Sequence, residues 1–505
     1  METEIKLLVA PENLGRILRS KALRRCTQDR ARTSMLTSIY FDTPRFDLRD
    51  ARLALRLRRI RSGSDLRWLQ ALKGGAASTA GLTQREEYEW PVPARRIELA
   101  LLDTTPYAAV FAKRRVRESL RAVFTTRFRR SVAQLLLADG SRAELCADRG
   151  EISIGRARAP ISEVEIELKG GNPRALFEFA SELLREVPLR LGTMSKAERG
   201  YALKRHTPPR KAHAVALRPE MSRAEALQTV ARGCLAQIHA NEQGFLSGRD
   251  PEFLHQLRVG FRRLRVALAM PDDPAWREAL EPVRAEMRWL FSVLGPVRNW
   301  DVFISEILPP LMQHFGDEEG LSALRARCLR LRRRRLALAR QAVSSPRYAA
   351  LLLAVGALLY GSPPAEPPSD APAQAFAREF IGRRARVLRK RGAGLATAGP
   401  QERHRVRIAA KKLRYSAEFF AALHPSKRLK RYVDALAELQ DVLGAINDAA
   451  LGATMIAELG SGARLDPRLI GMAQGWIAAG EAPAIERLSR AWDAFKRCRS
   501  LLRRD

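Results

Sequence analysis

The sequence predicts an α+β protein of more than one domain, in which a strand-rich N-terminal domain precedes an all-α domain of two repeated halves. Three observations support this fold class. The chain has 505 residues, whereas a single hydrophobic core seldom grows beyond about 250–300 residues. Apolar and polar residues alternate through roughly the first 200 residues, which is the period of a β-strand, and helical spacing takes over after Pro219. Two helical segments also match at a constant offset of 149 residues, from His255 to His404.

The predicted N-terminal domain covers residues 1–205, and a proline-containing linker covers residues 206–219. Helical spacing predicts helices over residues 94–123 and 173–186. The clearest strand patterns are Glu2 to Leu8, Ala54 to Ile60, Trp68 to Lys73, Arg85 to Pro91, Thr125 to Val132, Ala143 to Ala147 and Ser162 to Lys169.

Five of these strands carry charge on one face and apolar residues on the other, because successive strand side chains point to opposite sides. The charged faces comprise Glu2, Glu4 and Lys6; Arg56 and Arg58; Arg85, Glu87 and Glu89; Arg127 and Arg129; and Glu163, Glu165, Glu167 and Lys169. A solvated face is the ordinary interpretation of any one such strand. Clustered carboxylates, however, suit Mg²⁺ or Mn²⁺, and clustered Arg and Lys suit phosphate oxygens. A barrel lined by both would hold a metal–polyphosphate complex.

Several classes of site are excluded from the N-terminal domain. Residues 1–205 contain no His, which removes His-ligated zinc and Ser-His-Asp catalysis, and no Gly-rich Walker loop is present. Five widely separated cysteines argue against a disulfide scaffold and favour a reducing cytoplasm. No secretion signal is expected, and the longest apolar run, Tyr348 to Tyr360, is shorter than the about 20 residues of a membrane span. We therefore expect no membrane partner.

At this point the motifs resemble a known family, the CYTH domain of the triphosphate tunnel metalloenzymes. The resemblance covers about residues 1–205, and it rests on the order of the motifs, since each motif alone is weak. The motifs are Glu2-x-Glu4-x-Lys6, Tyr40-Phe-Asp-Thr43, Leu55-Arg-Leu-Arg58, Leu72-Lys-Gly74, Arg85-Glu-Glu-Tyr-Glu89, Arg127, Asp148-Arg-Gly150, Glu163-Val-Glu-Ile-Glu167 and Ser195-Lys196. The sequence departs from the family in Gln70-Ala-Leu-Lys73, where Thr-Leu-Lys is common.

The resemblance implies an eight-stranded antiparallel β tunnel with a charged lumen and a metal-dependent activity on triphosphates. Inorganic, thiamine and RNA triphosphatases and class IV adenylate cyclases share the fold, but the His-Phe signature of the cyclases is missing near the start. The implied Mg²⁺ or Mn²⁺ ligands are Glu2, Glu4, Glu165 and Glu167, with Asp148 and Glu163 as further candidates. The implied triphosphate-binding residues are Lys6, Arg56, Arg58, Lys73, Arg85, Arg127 and Lys196.

The predicted helical domain covers residues 220–505, with repeats at about 220–360 and 373–505 and a proline-rich linker at 361–372. On a helix with 3.6 residues per turn, each repeat places four cationic or His side chains on one face, opposite an apolar face. These residues are His255, Arg258, Arg262 and Arg265 in the first repeat and His404, Arg407, Lys411 and Arg414 in the second. A solvated face is the usual interpretation of a charge run, but like charges one turn apart destabilise a helix modestly. The repetition of the pattern therefore favours anion binding.

These repeats resemble the CHAD domain, a helical domain with two His-containing repeats, over about residues 220–505. The resemblance implies binding of long-chain polyphosphate and association with polyphosphate granules. The tandem arrangement resembles CYTH-CHAD inorganic triphosphatases, which implies hydrolysis of tripolyphosphate to diphosphate and phosphate.

The overall charge agrees with a polyanionic partner. The formal net charge is +34, and the excess is spread over the chain, with +15 in residues 1–205 and +19 in residues 206–505. Two alternatives to the enzyme remain open: a granule-associated polyphosphate-binding protein with weak or no catalysis, and a nucleic-acid binder. The second is less favoured because aromatic residues, which stack on bases, are not interleaved with the cations.

Overall fold

The computed structural model describes residues 2–29, 31–93, 95–204, 207–316, 319–361, 372–395, 397–424, 426–461 and 467–498. The chain forms two compact units. The first comprises Met1–Pro208 and Val343–Ser362, and the second comprises Pro209–Ala342 and Pro363–Asp505. Most of the predicted linker at 361–372, namely residues 362–371, lies outside the described residues.

The first unit is built on one antiparallel sheet that closes into a barrel, which confirms the predicted eight-stranded tunnel. Neighbouring strands follow the order β5-β4-β3-β2-β6-β7-β8-β1, and a pairing between β5 and β1 closes the ring. A short ninth strand extends from β1. The strands are β1 Glu2–Val9, β2 Arg32–Asp42, β3 Ala54–Ser62, β4 Asp65–Thr79, β5 Leu82–Val92, β6 Arg121–Leu136, β7 Arg142–Ile154, β8 Ala157–Gly170 and β9 Leu189–Leu191.

Short helices surround this barrel. They are α1 Leu14–Ile17, α2 Lys21–Cys26, α3 Asp47–Asp50, α4 Leu99–Leu102, α5 Ala108–Phe111, α6 Arg114–Ser119, α7 Pro173–Glu186 and α8 Lys196–Ala202. The predicted helix over residues 94–123 is wrong in extent: three separate turns of helix occupy the segment, and strand β6 already begins at Arg121. The turns are held by tertiary packing, because Leu102, Phe111 and Val116 are buried against the outer face of the barrel.

The second unit is helical among its described residues. Its helices are α9 Arg223–Ser247, α10 Glu252–Ala267, α11 Pro274–Val302, α12 Leu308–Phe315, α13 Glu319–Val343, α15 Ala373–Arg391, α16 Pro400–Phe419, α17 Lys427–Ser461, α18 Pro467–Ala479 and α19 Glu481–Arg497. A π-helical turn, Phe303–Ile307, joins α11 to α12. One core of this unit combines both repeats, since Phe303 and Leu324 pack with Ile456 and Leu469.

Helix α14, Pro346–Tyr360, belongs to the first unit although the sequence places it at the end of the first helical repeat. Its apolar residues pack on α7: the rings of Phe177 and Tyr360 stack with their centroids 5.5 Å apart, and Gly356 lies directly against Phe177. Helix α7 is amphipathic, with Leu176, Phe177 and Ala180 buried. Each Å² of apolar surface that this contact removes from water contributes about 25 cal/mol to stability.

No single described helix is long and apolar enough to cross a membrane, and only the consecutive pair Gly320–Val343 and Pro346–Tyr360 meets the requirement of length and composition together.

Candidate functional site

The lumen of the barrel contains a cavity of about 280 Å³ whose wall is almost entirely charged. Strands β1, β3, β4, β5, β6 and β8 contribute to it, together with the start of α8. A capping box between Ser195 and Glu198 fixes the first turn of α8 and so positions Lys196. The cationic lining residues are Lys6, Arg56, Arg58, Lys73, Arg85, Arg130, Lys169 and Lys196, and the acidic ones are Glu2, Glu87, Glu89, Glu165 and Glu167.

On one side of the lumen the first two glutamates of the chain contact Lys73 of β4 and Arg85 of β5. Glu2 lies 3.0 Å from the Nζ of Lys73 and 2.8 Å from the Nε of Arg85, and Glu4 lies 2.7 Å from Arg85. The pKa of the Glu2 carboxyl is lowered, because these cations outweigh the opposing effect of burial. Lys73 also contacts Glu87 at 2.7 Å.

A second, more deeply buried cluster surrounds Lys196. Its Nζ lies 2.7 Å from Asp148, 2.5 Å from Glu163 and 3.0 Å from Glu165. Arg130 donates two hydrogen bonds to Asp148, at 2.7 and 2.6 Å, and a third to Glu165 at 2.5 Å. The pKa of Glu165 lies well below its usual range, because the neighbouring cations overcome the effect of burial.

Lys6 completes this cluster from strand β1. Its Nζ lies 2.9 Å from Glu165 and 3.8 Å from Glu163. Arg199 of α8 contacts Glu163 at 2.7 Å. Each carboxylate of the cluster therefore already has a protein cation as partner.

Two lining residues are the least compensated. Arg58 is buried and hydrogen-bonds only to the hydroxyl of Ser38, at 3.1 Å, among the contacts of the described residues. Burial, with the charges of Arg56 and Arg130, lowers its pKa to about 10. Glu167 has the opposite character: burial raises the pKa of its carboxyl, and only Lys169, at 2.7 Å, offsets this. The lumen thus has one position suited to an added anion and one suited to an added cation.

One predicted triphosphate-binding residue is corrected. The side chain of Arg127 is exposed on the outer face of β6, as is that of Arg129, whereas Arg130 points into the lumen. The inner face of β6 carries Thr126, Phe128 and Arg130, of which the first two are buried. The other predicted tunnel residues lie on the lumen side, either lining the cavity or, for Glu4, Asp148 and Glu163, in ion pairs with lining cations.

The carboxylates fit a hard divalent cation in their chemistry. One oxygen each of Asp148, Glu163 and Glu165 can lie within 4.8 Å of the others, and carboxylate oxygens are the ligands that Mg²⁺ and Mn²⁺ prefer. On the adjacent strand pair, Glu4 lies opposite Glu167 and Lys6 opposite Glu165. The residues present therefore fit a divalent metal at the acidic wall formed by β1 and β8.

In the second unit, helices α10 and α16 lie next to each other and bring part of the two cationic stripes together. A buried ion pair joins the helices, with Arg263 of α10 2.5 Å from Glu418 of α16. We call the group formed by Arg258, Arg262, Arg407 and Lys411 the cationic seam. Among the described residues, Arg258 Nη1, Arg262 Nε and Arg407 Nε are buried without a hydrogen-bond partner.

The seam is short of negative charge. Burial and the charges of Arg262 and Arg407 lower the pKa of Lys411 to about 7. Burial and the charge of Arg262 lower the pKa of Arg258 to about 10. Asp448 lies 3.8 Å from Arg407 but compensates only part of the group. Like charges held this close in a half-buried site favour the binding of an anion.

The remaining stripe residues lie at the ends of the seam. Burial, followed by the charge of Arg298, lowers the pKa of His255 to about 4. His404 shares a hydrogen bond of 3.0 Å with Asn447, which occupies the position equivalent to Arg298 in the second repeat. Arg265 lies over the ring of Phe291, and Arg414 is paired with Glu418 at 2.7 Å.

Sequence reasoning missed several of these residues. Lys169, Glu87 and Glu89 were recognisable as charged residues on lumen-facing strands, but no motif separated them from a solvated face. Arg298 follows the Leu-Gly element of the first repeat, so its proximity to His255 was accessible from the repeat alignment. Arg130 gave no separate signal, since three arginines lie within four residues of β6.

Comparison with known proteins finds two family domains in succession along the chain. Residues 1–201 match the CYTH domain and residues 229–457 match the CHAD domain. An inorganic triphosphatase of Haemophilus influenzae is 31% identical over 203 residues, which are 40% of this chain and 54% of that protein. The chain therefore spans about half the length of this relative. The crystal structure of the CHAD domain from the plant Ricinus communis is 32% identical, with a TM-score of 0.51, and the match covers 58% of this chain and 98% of that one. The chain thus belongs to the CHAD family through its helical part and carries a CYTH domain in front of it.

Proposed function

We propose that the first unit is a metal-dependent inorganic triphosphatase that hydrolyses tripolyphosphate to diphosphate and phosphate. The observation that carries this proposal is the closed lumen, in which eight cationic and five acidic side chains face one cavity. Such a wall suits a ligand that brings both signs of charge. A complex of a divalent metal with a short phosphate chain meets that requirement, and the relative described as an inorganic triphosphatase supports the choice of substrate.

The two least compensated groups give the ligand an orientation. Arg58 has no carboxylate partner among the described residues and Glu167 has only Lys169, so a metal–triphosphate complex adds a counter-charge to both, where a free phosphate or a free metal adds one. Lys73 and Arg85 are held by Glu2 in the structure, and they would be available to phosphate oxygens if Glu2 served as a metal ligand. Binding then replaces ion pairs and leaves no charge buried alone.

Within this proposal, the residues that would hold Mg²⁺ or Mn²⁺ are Glu2, Glu4, Glu165 and Glu167, with Asp148 and Glu163, which pair with Lys196, as further candidates. A bound metal of this kind polarises phosphoryl oxygens and lowers the pKa of a coordinated water. Arg56, Arg58 and Arg85 orient the phosphate chain and stabilise the charge that develops on the departing diphosphate.

Glu4→Gln tests the proposal. Glu4 is 3% exposed and contacts Arg85, so the amide keeps the size of the side chain while removing a metal-ligating charge. We expect loss of phosphate release from tripolyphosphate by about 100-fold or more, because loss of an outer-shell partner of a metal ligand already costs about 10- to 100-fold, with the far-UV circular dichroism retained. Glu151→Gln, on the exposed outer end of β7, is the matched control. Turnover equal to that of the unmodified chain in Glu4→Gln would contradict the assignment.

The substrate should be measured in the same assay. Tripolyphosphate, ATP, thiamine triphosphate and long-chain polyphosphate are compared, each with Mg²⁺ and with Mn²⁺. The proposal expects tripolyphosphate to give the highest kcat/KM. A higher value for ATP or thiamine triphosphate would assign the tunnel to an organic triphosphate instead.

We also propose that the second unit binds long-chain polyphosphate at the cationic seam. The buried nitrogen atoms without partners and the shortage of carboxylates support this, because a phosphate chain supplies oxygens and charge without a metal. The double variant Arg262→Gln, Lys411→Met should weaken binding by about 100-fold, from two charged contacts of about 1.5 kcal/mol each. Competition against RNA at equal phosphate concentration supplies the specificity test, and preference for RNA would contradict the proposal. Binding without any hydrolysis of tripolyphosphate would favour the granule-binding alternative.

A further inference from the structure

The outer wall of the barrel is covered at one end and bare at the other. Helices α4 to α6 bury the outward side chains of β3 and β4, among them Leu55, at one end. At the other end, the outward side chains of β4, β3, β2, β6 and β7 are exposed or half-exposed. This bare region contains Arg127, which the family resemblance assigned to triphosphate binding, and Arg129 on the same face of β6.

The strand pairings arrange these side chains in two rows across the sheet. The first row, in strand order, is Leu66, Arg61, Met35, Arg129 and Arg149. The second row is Trp68, Arg59, Thr37, Arg127 and Glu151. Neighbouring strands are about 4.8 Å apart, so the five arginines share one small surface. We call Arg59, Arg61, Arg127, Arg129 and Arg149 the outer arginine face.

The outer arginine face has almost no negative charge of its own. Within the described part of the chain, none of its five guanidinium groups lies in an ion pair. Glu151, the acidic residue in the two rows, lies 3.8 Å from Arg158, which is outside the face. Like charges on neighbouring strands destabilise a sheet. An array of this kind therefore favours an external anionic partner.

Large apolar side chains interrupt the arginines. Leu66 is 56% exposed beside the tight turn of the β3–β4 hairpin, and Met35 is 37% exposed in the same row. Trp68 is half-exposed in the second row. A polyphosphate chain presents only charged oxygens, and a nucleic acid adds bases on which Trp68 can stack, but neither gives Leu66 and Met35 an apolar partner. A bilayer surface offers both anionic headgroups and an apolar interior within reach of a hairpin tip.

We infer that the outer arginine face is a docking surface for an anionic lipid bilayer, where Leu66 inserts and the arginines contact headgroup phosphates. This reverses the sequence-based expectation of no membrane partner, but it involves attachment to the surface and no membrane-spanning segment. It is independent of the proposed hydrolysis, since the lumen and the outer face use opposite sides of the strands. Membrane binding should depend steeply on the number of arginines. Each arginine near an anionic surface contributes about 1 kcal/mol, which corresponds to about a fivefold change in partitioning.

Co-sedimentation of the full chain with vesicles tests the inference. Anionic vesicles, made of phosphatidylcholine with about 30% phosphatidylglycerol, are compared with vesicles of pure phosphatidylcholine at low and high salt. We expect binding to the anionic vesicles alone, weakened by salt. The variant Arg61→Gln, Arg127→Gln, Arg129→Gln should bind about 100-fold more weakly, the product of three fivefold losses. Thermal unfolding confirms that the fold is retained.

Two further variants make the outcome decisive. The control Arg19→Gln, Arg25→Gln, Arg185→Gln removes the same charge from another exposed surface of the first unit and should retain most of the binding. Leu66→Ser keeps the charge and should weaken binding several-fold, as expected for loss of an inserted leucine. Equal losses in the two triple variants, no effect of Leu66→Ser, or no binding of the native chain to anionic vesicles at low salt would each overturn the inference. Tight binding of RNA that depends on the same arginines, without binding to vesicles, would assign the face to nucleic acid.

Discussion

The strongest test of the lumen uses two arginines that lie three residues apart on the same strand. Arg130 points into the tunnel and bonds to Asp148 and Glu165, whereas Arg127 is exposed on the outer wall. The same substitution, Arg→Gln, at each position removes one charge from β6 and preserves most of the side-chain volume. Only the position inside the barrel should matter for stability and turnover.

The magnitude follows from the contacts that each variant loses. Arg130→Gln removes three charged hydrogen bonds and leaves Asp148, which is fully buried, with Lys196 as its remaining cation. Breaking a buried ion pair costs 3–5 kcal/mol when nothing replaces it, so with Lys196 retained we expect about 3 kcal/mol. This corresponds to a decrease in Tm of about 6–12 °C for a unit of this size. Arg127→Gln should stay within about 0.5 kcal/mol.

The assay combines calorimetric unfolding of the full chain with phosphate release from tripolyphosphate. Arg130→Gln should lower the transition of the first unit and reduce kcat/KM by about 10- to 100-fold, the effect of one lost charged contact to phosphate. Arg127→Gln should change neither. Equal effects of the two variants, or loss of turnover in Arg127→Gln alone, would show that the strand register and the composition of the lumen are wrong.

Four further predictions follow from the two units. Chelation of divalent metal by EDTA should abolish tripolyphosphate hydrolysis and leave polyphosphate binding unchanged in equilibrium dialysis, since the seam needs no metal. Polyphosphate affinity should fall as pH rises above about 7, the pKa of Lys411, and Lys411→Met should remove that dependence. In the protein without ligand, the same lowered pKa makes the free energy of unfolding rise with pH between about 7 and 10, because the unfolded chain binds the proton more tightly. Arg263→Met should destabilise the second unit by about 1–3 kcal/mol in urea unfolding, because it removes the 2.5 Å partner of Glu418, which is part-buried and keeps Arg414 at 2.7 Å. Gly356→Val should lower the free energy of unfolding of the first unit by about 1–3 kcal/mol, seen as a lower Tm, because the added carbons collide with Phe177.

Much of the architecture could be predicted because the periodicities are long and regular. The alternation in Glu2 to Lys6 and Glu163 to Lys169 placed their carboxylates on one face, and the structure pairs these strands with Glu4 opposite Glu167. The constant offset between His255 and His404 predicted two equivalent helices, which the structure places side by side. The eight-stranded tunnel and the order of the two domains are confirmed.

Strand β6 shows why the same reasoning failed locally. The prediction assumed that charge marks the lumen side, which is true of β1, β3 and β8. Along β6, however, the inner face changes from an apolar core at Phe124 and Phe128 to the charged cavity at Arg130, while the outer face is cationic throughout Arg127 and Arg129. Local alternation cannot identify the buried side when both faces carry arginine. The position of α14 was unpredictable for a related reason: its apolar sequence requires burial but does not specify the surface that buries it.

Positive charge is compensated differently in the two units, and this difference says more about the role of the net charge of +34 than composition alone. In the tunnel, nearly every lining cation has a carboxylate partner, as Lys196 has in Asp148, Glu163 and Glu165. In the proposed function, a metal and a phosphate chain together replace the partners in these ion pairs. In the cationic seam, carboxylates are scarce, and the repulsion is relieved partly by the lowered pKa of Lys411. A site of the first kind is stable when empty and selective for a metal–anion complex, because a lone anion would leave the carboxylates uncompensated. A site of the second kind costs stability when empty and accepts an anion directly. If the proposed functions hold, the pairing of charges is what separates short phosphate chains with metal from long chains without it, since both units use the same Arg and Lys side chains.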